Sequence, residues 1–284
     1  MGSSVARTLL RTVVALVVAY AVLGVVARTT GVIDRYFIFF PERTVSRDPG
    51  DRGLDFEDVY FTASDGVRLN GWLVPGRNDT TLLWLHGNAG NIANRVDNIA
   101  EVHRALGVNV FIFDYRGYGR SEGTPSEKGT YLDAAAALEY LHSRGDVDPG
   151  RLVLFGRSLG CAVAAELASQ TDVQGVVLES PFTSIRAMAK RAYPFLPEIG
   201  SFVRTRYDTL SKVGSIGAPV MVLHGDRDDI APFDMGVAVF EAASSPKRFY
   251  RIAGAGHNDT YAVGGDPYYR ALGEFLDSLP GGDG

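Results

Sequence analysis

From residue 80 onward the chain repeats one pattern that leaves little freedom of fold. Nearly continuous apolar runs at 81–85, 108–113, 151–155, 175–178 and 219–223 alternate with helix-length segments near 91–105, 130–143, 159–169 and 233–243. A short run with no polar face reads as a strand covered on both sides, and the intervening segments supply the cover. The alternation predicts an α/β fold whose mostly parallel sheet is flanked by helices on both faces. Ahead of it, residues 56–61 and 67–74 flank Ala-Ser-Asp-Gly and read as an antiparallel hairpin. A strand at 248–252 and a helix at 267–278 close the domain, for eight strands in all.

One join in this pattern is chemically loaded. The apolar strand 152–155 runs into Gly156-Arg157-Ser158-Leu159-Gly160 and then into small apolar residues through 168. Strand, Gly-x-Ser-x-Gly and helix form the layout of a nucleophile elbow, in which a tight turn raises the serine hydroxyl above the sheet. The flanking glycines leave room for that turn. Cys161 is the only cysteine, so no intramolecular disulfide or thiolate metal cluster is available, and its place in the first turn after the elbow suits buried packing.

A serine hydroxyl attacks only with help from a base and an orienting acid. Of five histidines, His86 and His224 end strands and His103 and His142 sit in helical segments. His257 follows the last strand in a glycine-rich loop, the base position for this layout. The acid should come between serine and histidine, and Asp226, Asp228 and Asp229 all qualify by order. For the oxyanion, one donor is the backbone N–H of Leu159 and the other comes from the loop His86-Gly-Asn88-Ala-Gly90, with the Asn88 N–H favoured. The scheme calls for no cofactor and no metal.

The N-terminus is different in kind. Arg7 and Arg11 precede an apolar run from Thr12 to Ala27, closed by Arg28. Residues 1–30 therefore read as a transmembrane anchor or signal segment, with the length of the run favouring an anchor. Residues 31–53 read as an interfacial segment, with four aromatics and an Asp34–Arg35 pair before Pro41, followed by a charged linker. Residues 54–280 form the domain. Between the strand ending at Glu179 and the one starting at Pro219, about forty residues with Phe182, Met188, Phe195, Leu196 and Phe202 read as a cap insertion at about 181–216. Flanking arginines lean toward an inward N-terminus, which places the domain on the outer side. A net charge of −5 with no basic stripe argues against nucleic acid.

Six motifs in order carry a resemblance: Leu-His86-Gly-Asn-Ala-Gly-Asn, Phe-Asp114-Tyr-Arg-Gly-Tyr-Gly-Arg-Ser-Glu-Gly123, Gly-Arg-Ser158-Leu-Gly, Glu-Ser180-Pro-Phe-Thr-Ser184, His224-Gly-x-x-Asp228 and Gly-His257. Together they resemble the α/β-hydrolase superfamily, in particular its small membrane-anchored serine hydrolases of the bud-emergence-like and lysophospholipase-like group. The resemblance implies Ser158 as nucleophile, Asp228 as acid, His257 as base, and Asn88 with Leu159 as oxyanion donors. Arg157 stands where many relatives have histidine. The implied activity is cleavage of carboxylic esters or thioesters, with a small-molecule or lipid acyl substrate and the bilayer as partner. The same residues would serve a peptidase or an acyltransferase, and such a fold can also carry a non-catalytic binding protein.

Overall fold

The computed structural model describes residues 2–31, 34, 37–195 and 203–280. Its centre is an eight-stranded sheet built from β2 (Glu57–Thr62), β3 (Arg68–Val74), β4 (Thr81–Leu85), β6 (Asn109–Phe113), β7 (Leu152–Arg157), β8 (Gly175–Glu179), β9 (Val220–Gly225) and β10 (Lys247–Ile252). The spatial order is β10-β9-β8-β7-β4-β6-β3-β2. The hairpin β2–β3 and the β3–β6 pair are antiparallel, and every other pair is parallel.

Because successive strand side chains point to opposite faces, each buried strand feeds two cores at once. Leu83, Phe111 and Leu154 join one core with Ala137 and Leu141 of α3 (Glu127–His142). Trp84, Ile112 and Phe155 join the other with Ile99 of α2 (Val96–Leu106) and Leu272 of α8 (Thr260–Asp277). The closing helix starts earlier than the pattern suggested: a first segment from Thr260 ends at Gly265, whose φ of 50° breaks the helix, and Pro267 opens the second. The remaining helices of the domain are α4 (Leu159–Ala168), α5 (Ile185–Ala192), α6 (Thr209–Val213) and α7 (Phe233–Ala242).

The cap rises from the end of β8. Ser184 caps α5 by accepting from the Ala187 N–H at 3.1 Å, and the returning segment is pinned to α3. There the Glu127 carboxylate accepts from the Arg206 and Tyr207 N–H groups, both at 2.7 Å, and the buried Tyr207 hydroxyl meets Thr130 Oγ1 at 2.7 Å. Phe182 and Met188 face inward beneath this cap, Phe195 is exposed, and Leu196 and Phe202 lie outside the described residues.

Two findings concern the N-terminus. Helix α1 (Gly2–Thr30) leaves Leu9, Leu16 and Leu23 more than half exposed, so its apolar surface is not covered by the domain. At about 1.5 Å per residue it is long enough to cross the hydrocarbon layer, as a membrane anchor or signal sequence would be. Residues 37–54, in contrast, pack against the domain where a linker was expected. Ile38 and Phe39 are buried, and Phe40–Pro41 (β1) pairs in parallel with Ala89–Gly90 (β5). Arg47 and Arg52 both pair with Asp97 of α2. Of the expected interfacial stretch, residues 32, 33, 35 and 36 lie outside the described residues.

Candidate active site

The strand order brings four loop ends to one edge of the sheet. Strand β7 lies between β4 and β8, so the turn after β7 sits beside the loop that follows β4, at the point where the chain changes winding direction. The loops after β9 and β10 arrive from the same side.

Ser158 occupies the turn between β7 and α4 with φ 53° and ψ −116°, a region that an L-residue enters only under strain. Its N–H donates to the Glu179 carbonyl at 2.9 Å, and its own carbonyl accepts from the Cys161 N–H at 2.9 Å. The turn is possible because a Cβ on Gly156 would lie 2.5 Å from the Gly160 carbonyl oxygen, and one on Gly160 would overlap the Leu85 carbonyl. Both glycines are thus demanded by contact with backbone. Cys161 is buried, its Sγ placed against the Gly156 and Glu179 carbonyls, which fits packing.

Ser158, His257 and Asp228 form a continuous chain. His257 Nε2 lies 2.9 Å from Ser158 Oγ, and His257 Nδ1 lies 2.7 Å from Asp228 Oδ2. A carboxylate only accepts, so Nδ1 carries the ring proton and Nε2 of the neutral ring is left as an acceptor facing the serine hydroxyl. Burial of Asp228 alone would push its pKa up. Hydrogen bonding from His224 and His257, electrostatic attraction to the His257 ring and the Ala231 N–H outweigh it and hold the carboxyl well below the usual range. The two other aspartates are elsewhere: Asp226 pairs with Arg251 and accepts from the Gly254 N–H, and Asp229 is exposed.

Asn88 and Leu159 both border the space above Ser158, and an added Cβ on Gly87 would stand 3.5 Å from Ser158 Cβ. The Asn88 loop is held from outside the sheet. The Asn88 carbonyl accepts from the Phe40 N–H at 3.0 Å and the Tyr118 hydroxyl at 2.7 Å, while its side-chain amide donates to the Ile38 carbonyl at 2.9 Å. Asn91 extends the tie by donating to the Glu42 and Thr44 carbonyls. The same N-terminal segment reaches the cap, where the buried Asp34 carboxylate accepts from the Arg204 and Thr205 N–H groups at 3.2 and 2.6 Å. This strap went unread in the sequence, where residues 31–53 read as an interfacial segment followed by a charged linker.

A cavity of about 690 Å³ opens over the serine. Its lining includes apolar side chains, Phe182, Ile185, Met188 and Ala192 of the cap region together with Ile38 of the strap, and also Arg95 and Arg157. Arg157 spans the site: its Nη2 donates to the His257 carbonyl at 2.8 Å, and its Nε lies 3.6 Å from Glu179 Oε1. Glu179 is buried and also receives the Thr260 and Tyr268 hydroxyls. The residue beside Ser158 therefore steadies the loop that carries the His257 imidazole. In the sequence Arg157 showed only as a departure in charge.

Comparison with known proteins agrees with this architecture. The family model described as serine aminopeptidase, S33, matches residues 76–211. The Mycobacterium tuberculosis protein Rv2307c is 40% identical over 222 residues, covering 77% of this chain and 78% of that protein. The Arabidopsis thaliana α/β hydrolase domain-containing protein WAV2 is 37% identical over 249 residues, covering 81% of each. Among solved structures, the Pyrococcus furiosus esterase Pf2001 superposes with a TM-score of 0.72 at 25% identity, over 84% of this chain and 99% of that one. With a strand order, an elbow and a hydrogen-bonded Ser-His-Asp chain that agree with these likenesses, the protein belongs to the α/β-hydrolase superfamily as a serine-type hydrolase.

Proposed function

We propose that the protein is a membrane-anchored serine hydrolase that cleaves carboxylic esters or thioesters. The observation that carries this is the Ser158–His257–Asp228 relay, 2.9 and 2.7 Å long, at the floor of a largely apolar cavity. In this reading Ser158 Oγ bonds to the acyl carbon as His257 Nε2 takes its proton. Asp228 keeps the imidazolium oriented, and the Asn88 and Leu159 N–H groups hold the oxyanion. Collapse of the adduct breaks the bond to the alcohol or thiol, which leaves with the proton from His257. Water then adds with His257 again as base, and the carboxylic acid departs. The apolar cap suits an acyl chain, and α1 would hold the site beside a bilayer, which makes lipid-derived acyl groups the favoured substrates.

The matched family description favours a second reading, an aminopeptidase. Such an enzyme has to pair the substrate's free ammonium with an anion, and the described residues lining the cavity include no aspartate or glutamate. Two arginines there would repel it. The ester reading is tested with a fluorophosphonate probe on the full chain in detergent. Wild type should label and Ser158→Ala should not, with both showing the same far-UV circular dichroism; a folded Ser158→Ala protein that still labels removes Ser158 from the mechanism.

A further inference from the structure

The cavity above Ser158 has an uneven charge. Among the described residues that line it, Arg95 and Arg157 bring fixed positive charge and none brings negative charge. Arg157 is buried and Arg95 half-buried, and a guanidinium drawn away from water needs compensation. Arg157 has it in Glu179, 3.6 Å away, and in the His257 carbonyl. Arg95 has much less. Its Nη2 donates to the Ala89 carbonyl at 2.9 Å, its Nε is buried without a hydrogen-bond partner, and among the described residues no carboxylate forms an ion pair with it.

The two carboxylates at longer range do not fill the gap. Glu179 is already engaged by Arg157, Thr260 and Tyr268. Asp114 is buried, and burial pushes its pKa up to about 8, so much of it is protonated near neutral pH. Burial, and after it repulsion from Arg157, lowers the Arg95 pKa to about 10, which still leaves it charged at neutral pH. A cation is thus maintained next to the oxyanion loop at some energetic cost. Met188 and Ala192 of α5 line the same cavity, so it combines fixed positive charge with apolar surface.

We propose that the two arginines of the lining form an anion subsite, in which Arg95, backed by Arg157, receives a phosphate or carboxylate that the substrate carries a few atoms from its scissile ester bond. The proposal rests on the ester-hydrolase reading and narrows it to anionic amphiphiles. A guanidinium presents a planar fork of N–H donors that suits both anions, and charge-assisted bonds exceed neutral ones. The acyl chain then extends under the cap. Arg95 acts in specificity and takes no part in proton transfer.

The test uses the full chain in detergent and three soluble esters of one acyl group: octanoyl glycerol, octanoyl glycerol phosphate, and the octanoyl ester of glyceric acid. Wild type should favour the phosphate ester over the neutral glyceride by roughly 10- to 100-fold in kcat/KM, the range of hydrogen bonds to a charged group. Arg95→Gln should bring that ratio near unity, and Arg95→Lys should retain part of the preference. A glyceric ester that matches the phosphate ester assigns the subsite to small anions generally; one that matches the neutral glyceride assigns it to phosphate. Equal rates in wild type, or an Arg95→Gln protein that slows all three esters alike, overturn the subsite. Ser158-dependent cleavage of the neutral ester separates that outcome from failure of the hydrolase reading. Calorimetric titration with octyl phosphate against octanol tests the subsite even without turnover, since only wild type should bind the phosphate more tightly.

Discussion

Asp228→Asn is the most informative single change, because the structure dictates how the new amide must sit. Asp228 Oδ1 accepts from the Ile230 and Ala231 N–H groups at 3.0 and 2.8 Å, while Oδ2 accepts from His257 Nδ1. An asparagine keeps both backbone donors satisfied only with its oxygen in the Oδ1 position, which turns its NH2 toward His257. The amide nitrogen cannot accept, so the ring must offer Nδ1 as a lone pair and carry its proton on Nε2, facing Ser158 Oγ. A protonated Nε2 cannot take the serine proton. The same tautomer error in a serine protease lowers kcat by about 10⁴, equivalent to about 5.5 kcal/mol of barrier, and a similar loss is expected here. Asp228 does not line the cavity, so KM should change little. Both backbone hydrogen bonds survive, so the thermal midpoint should fall by no more than a few degrees. Steady-state hydrolysis of p-nitrophenyl butyrate, run beside a circular dichroism melt, measures both. A folded variant with kcat within tenfold of wild type would refute the assignment of Asp228 as the group that fixes the His257 tautomer.

Two further changes probe the surroundings. Phe40→Pro deletes the N–H that holds the Asn88 carbonyl, leaving the Tyr118 hydroxyl as its other partner. If the Asn88 N–H holds the oxyanion as proposed, loosening it should cost about ten- to a hundredfold in kcat, short of the loss on removing a donor outright, and Phe40→Ala, which keeps the N–H, should stay near wild type. An unchanged kcat in a folded Phe40→Pro protein means that the strap does not position the loop. Asp114→Asn addresses pH. The Asp114 pKa is raised to about 8, so the folded state holds a proton that the unfolded state releases near pH 4, and wild-type stability should fall as pH rises from about 4 to 8. Asparagine keeps an acceptor for the Ile92 N–H, now 3.0 Å from Asp114 Oδ1, and should remove most of that slope. Melting curves at pH 5 and pH 8.5 that shift equally for both proteins contradict the assignment.

Much of this architecture is legible in the chain because the signals are local. A strand buried on both faces has to be apolar throughout, so β4, β6, β7, β8 and β9 stand out as runs. Gly156 and Gly160 flank Ser158 because the turn puts backbone where a Cβ would be, and that too is written within five residues. The acid was less legible. Three aspartates share the loop, and the choice depends on Arg251 drawing away Asp226 and on exposure of Asp229. The strap was least legible, since β1 is two residues long and its partner β5 lies about fifty residues away. No periodic pattern can announce a two-residue strand.

The sequence by itself determined the layering of helices on a parallel sheet, the nucleophile turn and the order in which acid and base must arrive, because each follows from the polarity and sterics of neighbours along the chain. Tertiary structure alone decided which aspartate meets His257, that Arg157 grips the base loop 100 residues away, that residues 38–42 brace the Asn88 loop, and that Arg95 stands in the cavity without an ion-pair partner among the described residues. Those depend on distances between segments remote in sequence. Hydrogen bonds and charges act over a few ångströms of space, and only packing of the sheet sets which groups fall within that reach.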